Sequence, residues 1–283
     1  MKLFSNIGCK ATLAGACLVL AGCGGSKPWP ESPLYEPETD PASPAEFASA
    51  QDAMEAVEGN YAHYDVVAYA GETPNGPLNT FIVSYGFTRF DIEDGELISR
   101  DTFCFSEHKS NQNFTTRFSD EATQAIIPRS AAVDVWLDAE GVQVYRPRTP
   151  TLLGMDGDPD QPLPMDKNSP LIRDDDHDGK PGVTVDMRLF GFINAELYIA
   201  RREIYETYMT LYQDGSLRGD VIDESEQLVI GASLGFLDQP NNPDQYPDPG
   251  MNPIILVPVA DDFTRCDELK ARRNELFPPS PKF

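Results

Sequence analysis

The sequence predicts a mainly β domain, an antiparallel meander closed as a barrel or folded as a sandwich, with a short helix at its N-terminal side and another at its C-terminus. Three observations predict it. Between Asn60 and Ser233 apolar residues recur at every second position, which places them on one face of an extended chain. The segments carrying that pattern are dense in aromatic and β-branched side chains. Turn pairs such as Asp94-Gly95 and Asp214-Gly215 separate them, as hairpins require.

The chain opens with Lys2 and Lys10, an apolar run over Ala11–Leu20, and small residues at Ala21 and Gly22. That is the pattern of a secretory leader, too short to span a bilayer. Leu20-Ala21-Gly22-Cys23 resembles the lipobox of bacterial lipoproteins, and the chain as a whole is similar to envelope lipoproteins of bacteria. The resemblance implies that residues 1–22 are removed, that the Cys23 thiol receives diacylglycerol, and that its new amino group is acylated. Several acyl chains hold firmly where one holds marginally, so the implied first partner is a membrane. Gly24, where inner-membrane lipoproteins carry Asp, implies the outer membrane.

Residues 23–43 hold prolines at 28, 30, 33, 37 and 41, and are expected to form an extended lipidated tether that lifts the domain off the bilayer. Residues 44–283 then form one β-rich domain. Ser43 fits an N-cap, Pro44 a first helical position and Glu46 a capping box. Phe47, Ala50, Met54 and Val57 follow at helical spacing until Gly59. Strands are expected over Tyr61–Tyr69, Thr80–Arg89 and Glu96–Phe105. Two more, Ala132–Leu137 and Val142–Tyr145, flank the Asp138–Gly141 turn. A long acidic, Pro-rich loop occupies 147–182, and loops of that length are usually functional or disordered. Val183–Phe190 alternates cleanly. Glu196–Tyr212 fits helix or strand, and its Tyr, Ile and Thr content together with the Asp214-Gly215 turn favours strand. Leu217–Ile222 and Gln227–Ser233 bring the number to about nine strands. Asp261 or Asp262 is expected to cap a last helix with Phe263, Cys266, Leu269 and Leu276 on one side, ended by Pro278-Pro279.

Five cysteines are present. Cys9 and Cys17 leave with the leader and Cys23 takes lipid, so Cys104 and Cys266 are expected to form one disulfide in an oxidising compartment. The formal charge is −24. Such a surface repels phosphate backbones and anionic lipid heads, so nucleic acid is not expected as a partner; it suits cations, basic envelope partners or plain solubility.

The strongest local motif runs from Asp174 to Val185. Asp174, Asp176 and Asp178 alternate before Gly179, which resembles the first half of a calcium loop of the EF-hand or thrombospondin-repeat type. Ca²⁺ takes six to eight oxygens, and alternate residues of a tight loop can aim carboxylates at one point. The resemblance implies Asp174, Asp176 and Asp178 as side-chain ligands and Lys180 as a carbonyl ligand. The twelfth position is Val185, and the nearest carboxylate is Asp186, one step late. Pro181 and the following strand stand where an EF-hand has its exiting helix, so a single calcium-tied loop leading into a strand is the expected form. Asp156, Asp158 and Asp160 make a second alternating set, and a solvated acidic loop is the competing reading.

Two further functions are weighed. The turn-rich strands and terminal helix are similar to lipocalin-like barrels, which would carry a small apolar ligand among Tyr61, Phe81, Tyr85, Trp136 and Tyr198. Gly231-Ala232-Ser233-Leu234-Gly235 matches the G-x-S-x-G elbow of serine hydrolases. Yet Phe236–Pro243, which comes directly after the motif, cannot form the supporting helix, and no His occurs after His177. His63, His108 and His177 have no paired metal-ligand spacing, so zinc is not expected. The sequence thus points to a lipid-anchored envelope protein of binding or structural type, stabilised by calcium.

Overall fold

A computed structural model describes residues 26–35, 43–73 and 76–283. The leader, Cys23 and residues 36–42 of the tether lie outside the described residues.

The mainly β, antiparallel expectation holds. Strands β1 (Gly59–Thr73), β2 (Gly76–Glu93) and β3 (Glu96–Ser110) are followed by β4 (Phe114–Phe118), β5 (Ala131–Asp138), β6 (Gly141–Arg146) and β7 (Thr151–Leu153). After the acidic loop come β8 (Val183–Leu189), β9 (Ile193–Glu203), β10 (Tyr205–Leu211), β11 (Leu217–Asp223) and β12 (Glu226–Ala232). The last strands are β13 (Asp244–Gln245) and β14 (Pro253–Val259). Helices α1 (Ala50–Val57), α2 (Asp120–Gln124) and α3 (Cys266–Leu276) complete the chain.

The larger sheet runs β13-β1-β14-β11-β10-β6-β5-β3-β2, and β1 also pairs with β2, so the pairings return to their start. The ring is not a clean barrel. β3 and β5 meet only over Leu97–Ser99, and β11 and β14 only over Leu217–Asp220. Its interior is filled by Tyr61, Val67, Phe90, Leu97, Phe103, Val144, Met209, Leu217 and Ile254. A smaller sheet, β12-β9-β8-β4 with β7 on β9, packs its own core around Phe118, Leu153, Val185 and Ile199.

The period of two along β1 is hard to read because both faces are buried. Tyr61, Val67 and Tyr69 point into the ring, whereas Ala62, Tyr64, Val66 and Ala68 point outward into a second core. The C-terminal segment covers that outer core with Phe263, Leu269 and Phe277. Residues of the expected tether cover the rest. Trp29 packs on Phe81 at 5.1 Å, on Tyr246 at 4.6 Å and on Phe283 at 5.4 Å. The Lys27 N–H donates to Asn111 O at 3.1 Å and the Leu34 N–H to Gly250 O at 2.8 Å. Residues 26–35 are therefore part of the domain rather than a spacer. Aromatic and apolar side chains between the prolines outweigh their preference for a free extended chain.

Three boundaries are corrected. Helix α1 begins after Ser49, whose Oγ accepts from the Asp52 N–H, and not after Ser43. Pro44 forms a bridge with Tyr212 and the Ala45 N–H donates to Leu211 O at 2.8 Å, so that backbone is committed to the sheet. Helix α3 begins after Arg265, not at Asp261 or Asp262, because Asp261 is held by Arg89 at 2.6 Å. Asp267 and Glu268 in its first turn complement the N-terminal dipole instead. Glu196–Tyr212 is strand, as preferred, but it breaks at Ile204 into β9 and β10, which belong to different sheets.

Candidate metal centre

Backbone geometry brings the three expected aspartates together. His177 and Gly179 both have positive φ, at 59° and 84°, which curls residues 174–179 tightly enough to converge their side chains. One carboxylate oxygen from each of Asp174, Asp176 and Asp178 lies within 4.8 Å of the other two. The Asp178 and Gly179 N–H groups donate to Asp174 at 3.1 and 2.9 Å. The Lys180 N–H donates to Asp178 at 2.9 Å, and the Thr184 hydroxyl donates to the same carboxylate at 2.6 Å. Each carboxylate oxygen carries two lone pairs, so these bonds leave room for a cation.

Asp176 differs from its neighbours. Its Oδ2 accepts the Thr184 N–H at 2.8 Å, but its Oδ1 is buried with no hydrogen-bond partner. Burial pushes the Asp176 carboxyl above its ordinary value of 3.8, and the charges of Asp178 and Asp174 add to that. Asp178 goes the other way. Burial raises it, but hydrogen bonds from Thr184 and Lys180 outweigh burial and hold it below the ordinary value. An orphaned oxygen amid like charges is the arrangement a hard dication relieves.

The loop is stitched to the smaller sheet. The Gly182 N–H donates to Arg173 O at 2.7 Å and the Asp175 N–H donates to Gly182 O at 3.2 Å. Gly182 has φ 82°, and a Cβ there would meet Ile199 O at 2.2 Å, so only glycine lets the loop lie this close to β9. A metal at the aspartates would thus brace the entry to β8.

Asp186, the remaining expected side-chain ligand, is placed otherwise: it stands on β8 and binds Arg117 at 3.0 Å, away from the cluster. Lys180 lays its ammonium against Glu196 at 2.8 Å and Asp178 at 3.6 Å, adding a cation beside the site. Of the second alternating set, Asp156 pairs with Arg173 and Asp160 with Arg129, so it forms no second cluster among the described residues.

Substituting Asp176 separates burial from metal binding. Because its folded pKa is raised, the ionised group costs stability above the ordinary pKa, and that cost fades as pH falls through the folded value. Asp176→Asn is therefore expected to melt no lower than the parent in EDTA while losing any Ca²⁺-dependent rise in Tm. Scanning calorimetry with EDTA and with CaCl₂ reads both. A Ca²⁺-dependent rise that survives the substitution counts against the site.

The interior of the ring holds a second polar assembly. His63 Nε2 lies 2.8 Å from Asp65, and Nδ1 lies 2.8 Å from Thr88 Oγ1. The Thr88 hydroxyl donates to Asp101 at 2.6 Å, and Arg146 and Tyr205 engage the other oxygen of Asp101 at 2.9 and 2.8 Å. Thr88 has one proton and gives it to Asp101, so it must accept from His63 Nδ1–H. Beside this string, a cavity of about 80 Å³ is walled by Asp65, Val67, Phe103, Arg201 and Thr207. Arg201 is held by Glu203 at 2.6 Å and by Gln227 at 3.0 Å, and Asp223 accepts from the Tyr69 hydroxyl at 2.9 Å.

Neither rival function gains a site. Tyr61 is inside the ring, Phe81 and Tyr85 are in the outer core, Trp136 is exposed, and Tyr198 lies on the smaller sheet, so these aromatics line no common cavity. A dry cavity that takes benzene is roughly 150 Å³, and the interior space is about 80 Å³ with Asp65, Arg201, Glu203 and Asp223 set into its largely apolar wall. Ser233 Oγ accepts the Glu196 N–H at 2.8 Å as part of the strand edge. The chain matches no family model, no curated protein and no solved structure. Its chemistry rests on the residues themselves.

Cys104 and Cys266 are bonded to each other, with Cα atoms 5.2 Å apart, and fasten α3 over the outer face of β3. Sequence reasoning missed the interior string, although His63 and Asp65 sit two apart among the inward positions of β1.

Proposed function

We propose that the protein is a lipid-anchored envelope module of binding or structural type, whose 147–182 loop is held in place by one Ca²⁺. The observation that carries the metal half is the orphaned Oδ1 of Asp176 beside Asp174 and Asp178. Those three carboxylates would hold the ion, and waters and loop carbonyls would fill out the six to eight oxygens it takes. When bound, the ion supplies charge neutralisation and a crosslink. The chain's own residues do the rest: Thr184 and the amides of 178–180 orient the carboxylates, and Gly182 presses the loop onto β9. The anchor half is supported by the Leu20–Cys23 lipobox.

Intact mass of the protein extracted from its native membrane tests the anchor. The expected mass is that of residues 23–283 plus diacylglycerol and one further acyl chain. A mass that retains residues 1–22, or that lacks acyl groups, sinks the anchor while leaving the metal proposal to calorimetry.

A further inference from the structure

The chain carries 46 acidic and 22 basic residues. Against that background one open groove is lined by Lys27, Lys109, Arg188 and Lys282, with no Asp or Glu on its wall. Lys109 is paired with Glu107 at 2.8 Å and Lys27 Nζ donates to Phe283 O at 3.1 Å. Arg188 and Lys282 have no ion-pair partner among the described residues.

Gly191 also lines this groove, and it is the centre of the β8–β9 turn, Leu189-Phe190-Gly191-Phe192-Ile193. Tight turns are ordinarily built from Gly, Asn, Asp and Ser. Here Phe190 is 60% and Phe192 74% exposed, and Phe190 holds a positive φ of 53°, a conformation bulky residues rarely adopt. The Phe190 N–H donates to Asn113 O at 3.0 Å, two residues from the Asn111 carbonyl that accepts the Lys27 N–H. The aromatic turn and the docked N-terminal segment are thus fixed side by side.

Lys27 follows Cys23 by four residues. At ~3.3–3.6 Å per residue a fully extended chain spans at most about 14 Å. A lipid on Cys23 would therefore keep Lys27 within about 14 Å of the anchored residue, which favours the face that carries Lys27 as the membrane side. That face is basic, and the turn beside it carries two exposed phenylalanines. Cations suit anionic headgroups, and aromatic side chains suit the boundary beneath them.

We propose that the face formed by Lys27, Lys109, Arg188, Lys282 and the Phe190–Phe192 turn seats on the bilayer that holds the Cys23 lipid, with both phenylalanines inserted and anionic headgroups in the groove. This rests on the acylation of Cys23 and gives the anchored domain a fixed orientation.

The acylated full chain carrying Phe192→Trp, reconstituted in vesicles of phosphatidylglycerol and brominated phosphatidylcholine, tests it. The fluorescence added at position 192 is expected to be blue-shifted and largely lost to bromine quenching. Trp136 serves as the distant reference, since β5 meets β3 at Leu97–Ser99 and the groove lies at the Ser110 end. A flotation assay and the intact mass verify the anchor in the same sample. Protein that floats with its acyl groups intact, but whose residue 192 is unquenched, overturns the seated face and spares the anchor. Protein that is not acylated overturns both. Crosslinking of a photoreactive residue 192 to another protein instead of lipid assigns the face to that partner and also overturns the proposal.

Discussion

Arg146→Met is expected to destabilise the protein by about 3–5 kcal/mol, the cost of leaving one member of a buried ion pair unpartnered. Arg146 and Asp101 are 4% and 2% exposed at their side chains and lie 2.9 Å apart. The guanidinium also stacks over the Tyr205 ring at 4.3 Å and donates to Thr149 Oγ1 at 2.8 Å. Burial, the largest single influence, would raise the Asp101 carboxyl, yet Arg146, His63, Thr88 and Tyr205 together outweigh it and hold the group below 3.8. A depressed carboxylate contributes stability that is present above its unfolded pKa and is lost as pH falls through the lower folded value. Without Arg146 the sign reverses, because a buried unpaired carboxylate prefers its proton. Relative to the parent, urea midpoints for the variant are therefore expected to fall as pH rises above the ordinary carboxylate range. Asp101→Leu combined with Arg146→Met should recover much of the loss, since replacing both partners with apolar groups leaves no charge stranded. A loss under about 1 kcal/mol at pH 7 would place the pair among weak surface bridges and remove the interior string from the account of stability.

Cutting the disulfide is expected to cost a similar amount by a different route. Cys104 and Cys266 enclose a loop spanning 162 residues. In the chain-entropy description a crosslink of that span contributes about 5 kcal/mol by restricting the unfolded ensemble. The folded state bears a second consequence. Cys266 is the first residue of α3, and the segment it fastens covers Tyr64, Tyr85 and Phe105 on the outer face. Cys104→Ser with Cys266→Ser is expected to lower the urea midpoint and to let a dye such as ANS bind before the global transition. If the double variant unfolds in a single step at the parent's midpoint, the crosslink contributes nothing and the outer core holds α3 unaided.

How far the sequence could be read depends on where each strand's second face lies. Val183–Leu189 and Ala131–Asp138, with one side toward solvent, carry the alternation that identifies them. Pro253–Val259 does not. Its run Ile254-Ile255-Leu256-Val257 is apolar at every position because Ile254 and Leu256 face the ring while Ile255 and Val257 face the outer core. The prolines at 253 and 258 further argue against a central strand, so the element that closes the ring was invisible to periodicity. Asp174, Asp176 and Asp178 were legible because a loop of six residues determines its own geometry, and Asp186 failed because its partner Arg117 comes from a strand far away in sequence. The charged interior failed for the same reason. His63 finds Thr88 and Asp101 across three strands, and no local spacing announces that.

The pairing of β1 with β14 joins Asn60 to Val259, nearly the two ends of the domain. During synthesis β1 emerges early, finds β2 on one side, and waits with its other row of amides and carbonyls open until the last strand, β14, has been made. Non-local closure of this kind is slow, and an unpaired strand edge invites other extended chains. A half-made molecule is thus the most adhesive form this protein passes through, and a holdase that shields extended segments would matter more to it than to a hairpin-by-hairpin meander of equal length.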